Sequence, residues 1–333
     1  MALLNSEKRQ RMSNHRVPGY AAIAVFCWMG LAPVSAQTTQ PAATQPVTPF
    51  RNPVEKETTR PYPALELTYE RYEQPRPLRA WVARVDLKHP DVRLVATCGS
   101  EDVQPEFETR CERTLDFAKR RNVQFAVNAS AFGPFRKESG EPMQVVGLGA
   151  CEGQVYSPPD ERFGAFIVRK DGRIRIGNPP YDLEQVEEAV SGFHMLVEDG
   201  RDVVERTASK QAPGFVGVNP RTAVGVDKDG VTLWLAVFDG RQKGVSEGIT
   251  LHELGQYFLD LGAHQALNFD GGGSTTMVLQ DPETGEHKIV NTPSDRPPRL
   301  VANNLGVILV PPDKRPTTQP ASAPGEGQHA EAE

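Results

Sequence analysis

Three times between residues 166 and 235 the chain runs an apolar stretch into Asp-Gly and out into another apolar stretch. Phe166-Ile167-Val168 leads through Asp171-Gly172 to Ile174-Arg175-Ile176, and Met195-Leu196-Val197 leads through Asp199-Gly200 to Val203-Val204. Ala223-Val224-Gly225-Val226 does the same through Asp229-Gly230 to Leu233-Trp234-Leu235. Asp-Gly accepts the positive φ of a tight hairpin turn, so between apolar runs it is a strong local signal for paired strands. A chain punctuated this way builds hairpins of one scaffold sheet, although the units share no repeated sequence.

Other strands are predicted over 81–87, 92–97 and 123–127. Phe107, Cys111, Leu115 and Ala118 stand at helical spacing and predict a helix over 107–121. A second helix is predicted over 250–261, where Thr250 can cap, Glu253 holds the capping-box position and Gly262 follows. Apolar runs at 231–238 and 266–269 flank it, which reads as a βαβ crossover between parallel strands. The expected fold is α+β (mixed): one compact domain over 64–311. Its central mixed β-sheet is built from the Asp-Gly hairpins and the crossover, flanked by helices.

The ends read differently. Lys8, Arg9, Arg11 and Arg16 precede an apolar run over 19–32 and the small residues Val34-Ser35-Ala36, the layout of a signal peptide cleaved after Ala36. The expected product is exported, to a periplasm or the medium. Residues 37–63 and 312–333 are rich in Pro, Thr, Gln and Ala and predict a disordered linker and tail. Without residues 1–36 the formal charge moves from −6 to −9, a poor footprint for nucleic acid or an anionic membrane. No later stretch is long and apolar enough for insertion into a membrane. Three cysteines remain, and the expected bridge is Cys98–Cys111, stapling a strand end to the following helix, with Cys151 left over.

Candidate chemistry gathers at strand ends. Asn268-Phe269-Asp270-Gly271-Gly272-Gly273-Ser274-Thr275 delivers a carboxylate, three glycines and two hydroxyls at the end of an apolar strand. Such a turn can place backbone N–H groups around an anion, or can be a sharp surface turn and nothing more. Asp239-Gly240-Arg241 ends the strand before the crossover, and parallel strands would bring Asp239 and Asp270 to one sheet edge. Glu253 would begin its helix near that edge, as capping acceptor or as a further carboxylate. Arg221 and Arg299 precede strands and suit phosphate, while Asn128 and Asn303 sit near strand termini. His194 reads as a structural histidine rather than a base. No phosphate-loop lysine or paired zincin histidine is present.

Taken in order, Asn128-Ala129-Ser130-Ala131-Phe132, Arg221-Thr222-Ala223-Val224-Gly225-Val226, Val237-Phe238-Asp239-Gly240-Arg241, Thr250-Leu251-His252-Glu253-Leu254, the glycine-rich segment and Arg299 with Val301-Ala302-Asn303 resemble the phosphodiester glycosidase family. The resemblance spans the core from about residue 80 to 310. It implies hydrolysis of the glycosidic C–O bond of a sugar-1-phosphodiester in a glycan or polysaccharide. Asp270, Glu253 and Asp239 are the implied catalytic candidates. Arg221, Arg299, Asn128, Asn268, Asn303 and the Gly271–Gly272–Gly273–Ser274–Thr275 turn are the implied substrate and phosphate contacts. No required cofactor is expected. A rival reading is a phosphodiesterase cutting P–O with Mg²⁺ or Ca²⁺ on the three carboxylates, and another is a polysaccharide-binding module without turnover.

Overall fold

The computed structural model describes residues 50–208 and 216–309, so the signal peptide expected over 1–36 and the tail over 312–333 lie outside the described residues. Strands dominate. An eight-stranded sheet runs in the order Glu55–Tyr62, Leu65–Tyr72, Leu78–Asp86, Thr232–Phe238, Arg221–Val226, Gln265–Asn268, Met195–Glu198, Arg201–Asp202. Two five-stranded sheets and one three-stranded sheet complete the set. One five-stranded sheet is centred on Val186–Gly192, and the other on Phe125–Asn128 between Met277–Gln280 and Asn304–Ile308.

The alternation along Thr232–Phe238 explains the layering. Leu233, Leu235 and Val237 face a core shared with Phe125, Val127, Phe166, Val190, Leu305 and Val307 from the smaller sheets. Trp234, Ala236 and Phe238 face the opposite side, where Leu251, Leu254, Tyr257 and Phe258 of the helix Leu251–Asp260 cover them. A period of two on one strand thus serves a sheet–sheet core and a sheet–helix core at once. The helix seats closely because Gly225 leaves room: a Cβ there would lie 2.5 Å from the Phe258 ring.

All three Asp-Gly hairpins are present. Val168 pairs with Ile174, Val197 with Asp202, and Val226 with Leu233, with Gly172, Gly200 and Gly230 at positive φ. The capping box forms as expected, with Thr250 accepting from the Glu253 N–H and Glu253 reaching back to the Thr250 N–H.

The mixed sheet does not form. Every strand pair among the described residues is antiparallel. The crossover helix does join two strands of like direction, Thr232–Phe238 and Gln265–Asn268, but Arg221–Val226 lies between them and is antiparallel to both. The hairpin partner therefore fills the slot a neighbouring parallel strand would need. Residues 55–62, read as linker, form a polar strand on Leu65–Tyr72, because a sheet edge can take exposed charged residues. The first helix begins only at Thr114; Thr109–Arg110 is drawn off to pair with Pro142–Val145. The disulfide is Cys98–Cys151, with Cα atoms 4.9 Å apart, and Cys111 is a buried free thiol. Cys98 lies two residues beyond Arg93–Ala96 and Cys151 ends Gly149–Cys151, strands of two different sheets, whereas Cys111 donates to the Glu138 carbonyl at 3.2 Å.

Candidate active site

Phe269, fully buried, anchors the end of Gln265–Asn268 in the core and donates its N–H to Thr222 O at 2.8 Å. One residue on, the Asp270 N–H crosses to Ala129 O of the neighbouring sheet at 2.8 Å. Asn128 locks this crossing from below. Its Nδ2 donates to Asp270 O at 2.7 Å, and its Oδ1 accepts from Thr222 Oγ1 at 2.7 Å and from the Thr276 N–H at 3.1 Å. Asn128 is thus a clamp on three segments. Asn303 clamps similarly, with its Oδ1 accepting from the Ser130 N–H at 2.8 Å and its Nδ2 donating to Ser130 Oγ at 3.0 Å.

The glycines are set by what approaches them. Gly272 has φ +61, and a Cβ on it would sit 2.8 Å from Arg241 Nη2. A Cβ on Gly273 would collide with the carboxylate of Asp295 and the guanidinium of Arg299. Only a bare backbone lets two arginines close on the same turn. The turn does not offer a free ring of N–H donors: Gly272 donates to Pro220 O at 2.9 Å, Ser274 to Gly271 O at 3.2 Å and Thr275 to Gly272 O at 3.3 Å. The Gly271 N–H is directed to the Asp270 carboxylate. The attraction for an anion at this turn therefore comes from side chains.

Those side chains are arginines. Arg221 is buried, donates to Gly217 O at 2.7 Å, and its charge acts on Asp270. Burial first, then the like charge of Arg241, brings its pKa down to about 10, with Asp270 opposing. Arg241, held at φ +59, donates to Asn219 Oδ1 at 3.2 Å. Arg299 pairs with Asp295 at 2.7 Å and reaches Ser274 Oγ at 3.4 Å. Asp270 itself is half-buried, and desolvation pushes its pKa up to about 6 against the pull of Ser274 and of Arg299. Three guanidiniums around one reluctant carboxylate make a place for an anion beside a group that can carry a proton.

Asp239 and Glu253 each have partners of their own. Asp239 is buried and accepts from Asn291 Nδ2 at 2.9 Å and from the Thr292 N–H at 3.0 Å, and burial lifts its pKa to about 6. Glu253 is held by both guanidinium nitrogens of Arg76 and by the Thr250 N–H and hydroxyl, each at 2.9 Å. Among the described residues these two and Asp270 form no cluster of ligand atoms; the one such group is Cys98, Cys151 and Glu152, whose sulfurs are bonded to each other.

Two residues outside the expected set belong near this floor. Arg241 was visible only as the third residue of an Asp-Gly-Arg turn; its approach to Gly272 has no local signal. His194 has φ +74, and its buried ring has the Thr207 backbone as a neighbour that favours its charged form. Burial, then Arg221, lowers its pKa to about 4, so it is neutral. Its carbonyl accepts from the Asn268 N–H at 3.1 Å, while Asn268 Oδ1 and Thr275 Oγ1 are buried without a hydrogen-bond partner.

The phosphodiester glycosidase family model matches residues 121–308, and the chain belongs to that family. It is 30% identical, over 60% of its length and 30% of the relative's, to the SPbeta prophage-derived uncharacterized protein YomE of Bacillus subtilis (strain 168). It is 30% identical to the N-acetylglucosamine-1-phosphodiester alpha-N-acetylglucosaminidase of Bos taurus, over 59% of this chain and 38% of that one. The chain thus spans about a third of the length of these curated relatives. The catalytic domain of the zebrafish N-acetylglucosamine-1-phosphodiester alpha-N-acetylglucosaminidase shares the fold, with a TM-score of 0.57 at 22% identity over 76% of this chain and 87% of that one.

Proposed function

We propose that the protein hydrolyses the glycosidic C–O bond of a sugar-1-phosphodiester, with Asp270 as the working carboxylate. The observation that carries this reading is the convergence of Arg221, Arg241 and Arg299 on the Asp270 turn. A phosphate monoester departs readily once its charge is neutralised, so no strong acid is needed on the bridging oxygen. Arg241, Arg299 and Ser274 take the departing phosphate, and buried Arg221 keeps the local field positive. Ionised Asp270 faces the anomeric carbon, supports its developing positive charge and accepts a proton from the attacking water. Water oxygen bonds to the sugar carbon, the carbon–oxygen bond to phosphate breaks, and sugar and phosphate monoester leave. Asp239 and Glu253 position the scaffold: one pins the 291–292 loop, the other the crossover helix.

The names of the mammalian and fish relatives make N-acetylglucosamine the first sugar to offer. Export is part of the same reading, supported by the basic and apolar pattern of residues 1–36 and by the disulfide. The test is turnover of an N-acetylglucosamine-1-phosphodiester in ¹⁸O water. Label in the released sugar, and at least a ~100-fold loss of kcat in Asp270→Asn, are the expected results. Label in the phosphate, or an Asp270→Asn enzyme with unchanged kcat, overturns the reading.

A further inference from the structure

Arg299 faces two ways. One side meets Ser274 beside Asp270, and the other lies over the Phe135 ring, 4.9 Å from its centroid. The same guanidinium and ring help line an open pocket of about 400 Å³, together with Arg113, Arg136, Lys137 and Asp295. Asp295 is already paired with Arg299 at 2.7 Å. The other cations are held more loosely. Arg113 forms a long ion pair with Asp116 at 3.8 Å and Arg136 one with Glu141 at 3.7 Å, neither a hydrogen bond, and Lys137 has no carboxylate within pairing distance among the described residues. Carbonyl oxygens of Pro298 and Pro142 accept from Arg113 Nε at 3.1 Å and Arg136 Nε at 2.9 Å, which orients both guanidiniums without cancelling their charge. Phe135 is 72% exposed and braced edge-on by Phe132 at 5.6 Å. An exposed aromatic face ringed by four cations, one of them without a carboxylate partner, suits an amphipathic anion.

We propose that this pocket is a second phosphate subsite, on the leaving-group side of the scissile phosphate. The carbon skeleton beyond that phosphate lies against Phe135, and a second phosphate is held by Arg113, Arg136 and Lys137. The preferred substrate is then an oligomeric sugar phosphodiester, in which the charged group recurs along the chain. The assignment of the leaving-group side rests on the reaction proposed above, whereas the binding of two phosphates does not.

The test therefore reads binding, not turnover. Propane-1,3-diol bisphosphate and propyl phosphate are titrated calorimetrically into the full-length protein and into Phe135→Ala/Lys137→Glu, with Lys170→Glu, which lies on a separate basic groove, as control. The bisphosphate is expected to bind the wild type at least tenfold more tightly. The double variant should lose that advantage, weakening the bisphosphate at least tenfold more than propyl phosphate, and Lys170→Glu should keep it. Equal affinities in the wild type, an advantage that survives the double variant, or one that Lys170→Glu also removes, each overturns the proposal. Thermal melts of these surface variants confirm that they are folded. Failure to hydrolyse any sugar-1-phosphodiester, with the bisphosphate result intact, overturns the reaction and leaves the subsite standing.

Discussion

Asp270 is costly to the fold in the form the proposed reaction needs. Its pKa stands near 6 in the folded protein, against an ordinary value of 3.8, because burial penalises the charged carboxylate more than its neighbours favour it. Protonated Asp270 is thus better tolerated folded than unfolded, and this contribution is full below about pH 4 and is lost as pH rises through 6. Two consequences follow. Turnover should fall on the acid side with an apparent pKa near 6, since only the carboxylate accepts the proton from water; a pH–rate profile falling on the alkaline side of 6 instead would make Asp270 an acid. Asp270→Asn should stabilise the protein at pH 7.5 by about 1–2 kcal/mol, the shift discounted for partial solvent access, and change nothing at pH 3.5. Urea melts at both pH values decide it, and a destabilised Asp270→Asn at pH 7.5 contradicts the account.

At the scale of elements, the crossover helix is the clearest case of a residue whose sequence pattern fits two roles. Glu253 closes the capping box and also receives Arg76, which comes from the loop before Leu78–Asp86. Removing its charge leaves a half-buried guanidinium unpaired, which should cost about 2–4 kcal/mol. Thr250→Ala, which removes the cap alone, should cost about 1 kcal/mol. Denaturation of Glu253→Gln and Thr250→Ala measures both. In the folded fraction Glu253→Gln should keep kcat within about threefold, and a loss on the scale of Asp270→Asn would place Glu253 in the chemistry instead. The hairpins and this helix were legible because their signals are local: Asp-Gly turns, alternation and a Thr-x-x-Glu cap. The helix expected from Phe107 was not, because Thr109–Arg110 satisfies its backbone with Pro142–Val145, a partner more than thirty residues away.

For the molecule as a whole, the Cys98–Cys151 bridge ties the ends of two sheets across 53 residues of chain. A cross-link of that span restricts the unfolded chain by about 4 kcal/mol on the loop-entropy model, so Cys98→Ala/Cys151→Ala should lose about 2–4 kcal/mol. Cys111, buried and with burial raising its pKa, should resist thiol reagents until the protein unfolds. Equilibrium unfolding of the double variant and labelling of the native wild type check these; rapid labelling of native Cys111 would contradict the pairing.

The sequence alone determined the strand-rich scaffold, its hairpin turns, the capped helix and the strand end that carries Asp270, since each is written in residues close along the chain. Tertiary structure decided the rest. It chose Cys151 over Cys111 as partner for Cys98, and it set Arg221–Val226 between the crossover strands. It committed Asp239 and Glu253 to scaffold partners, and brought Arg241 onto Gly272 beside Asp270. The division has one physical cause. Periodicity and turn chemistry fix how a segment folds, but which buried charge is already paired depends on segments that only packing brings together.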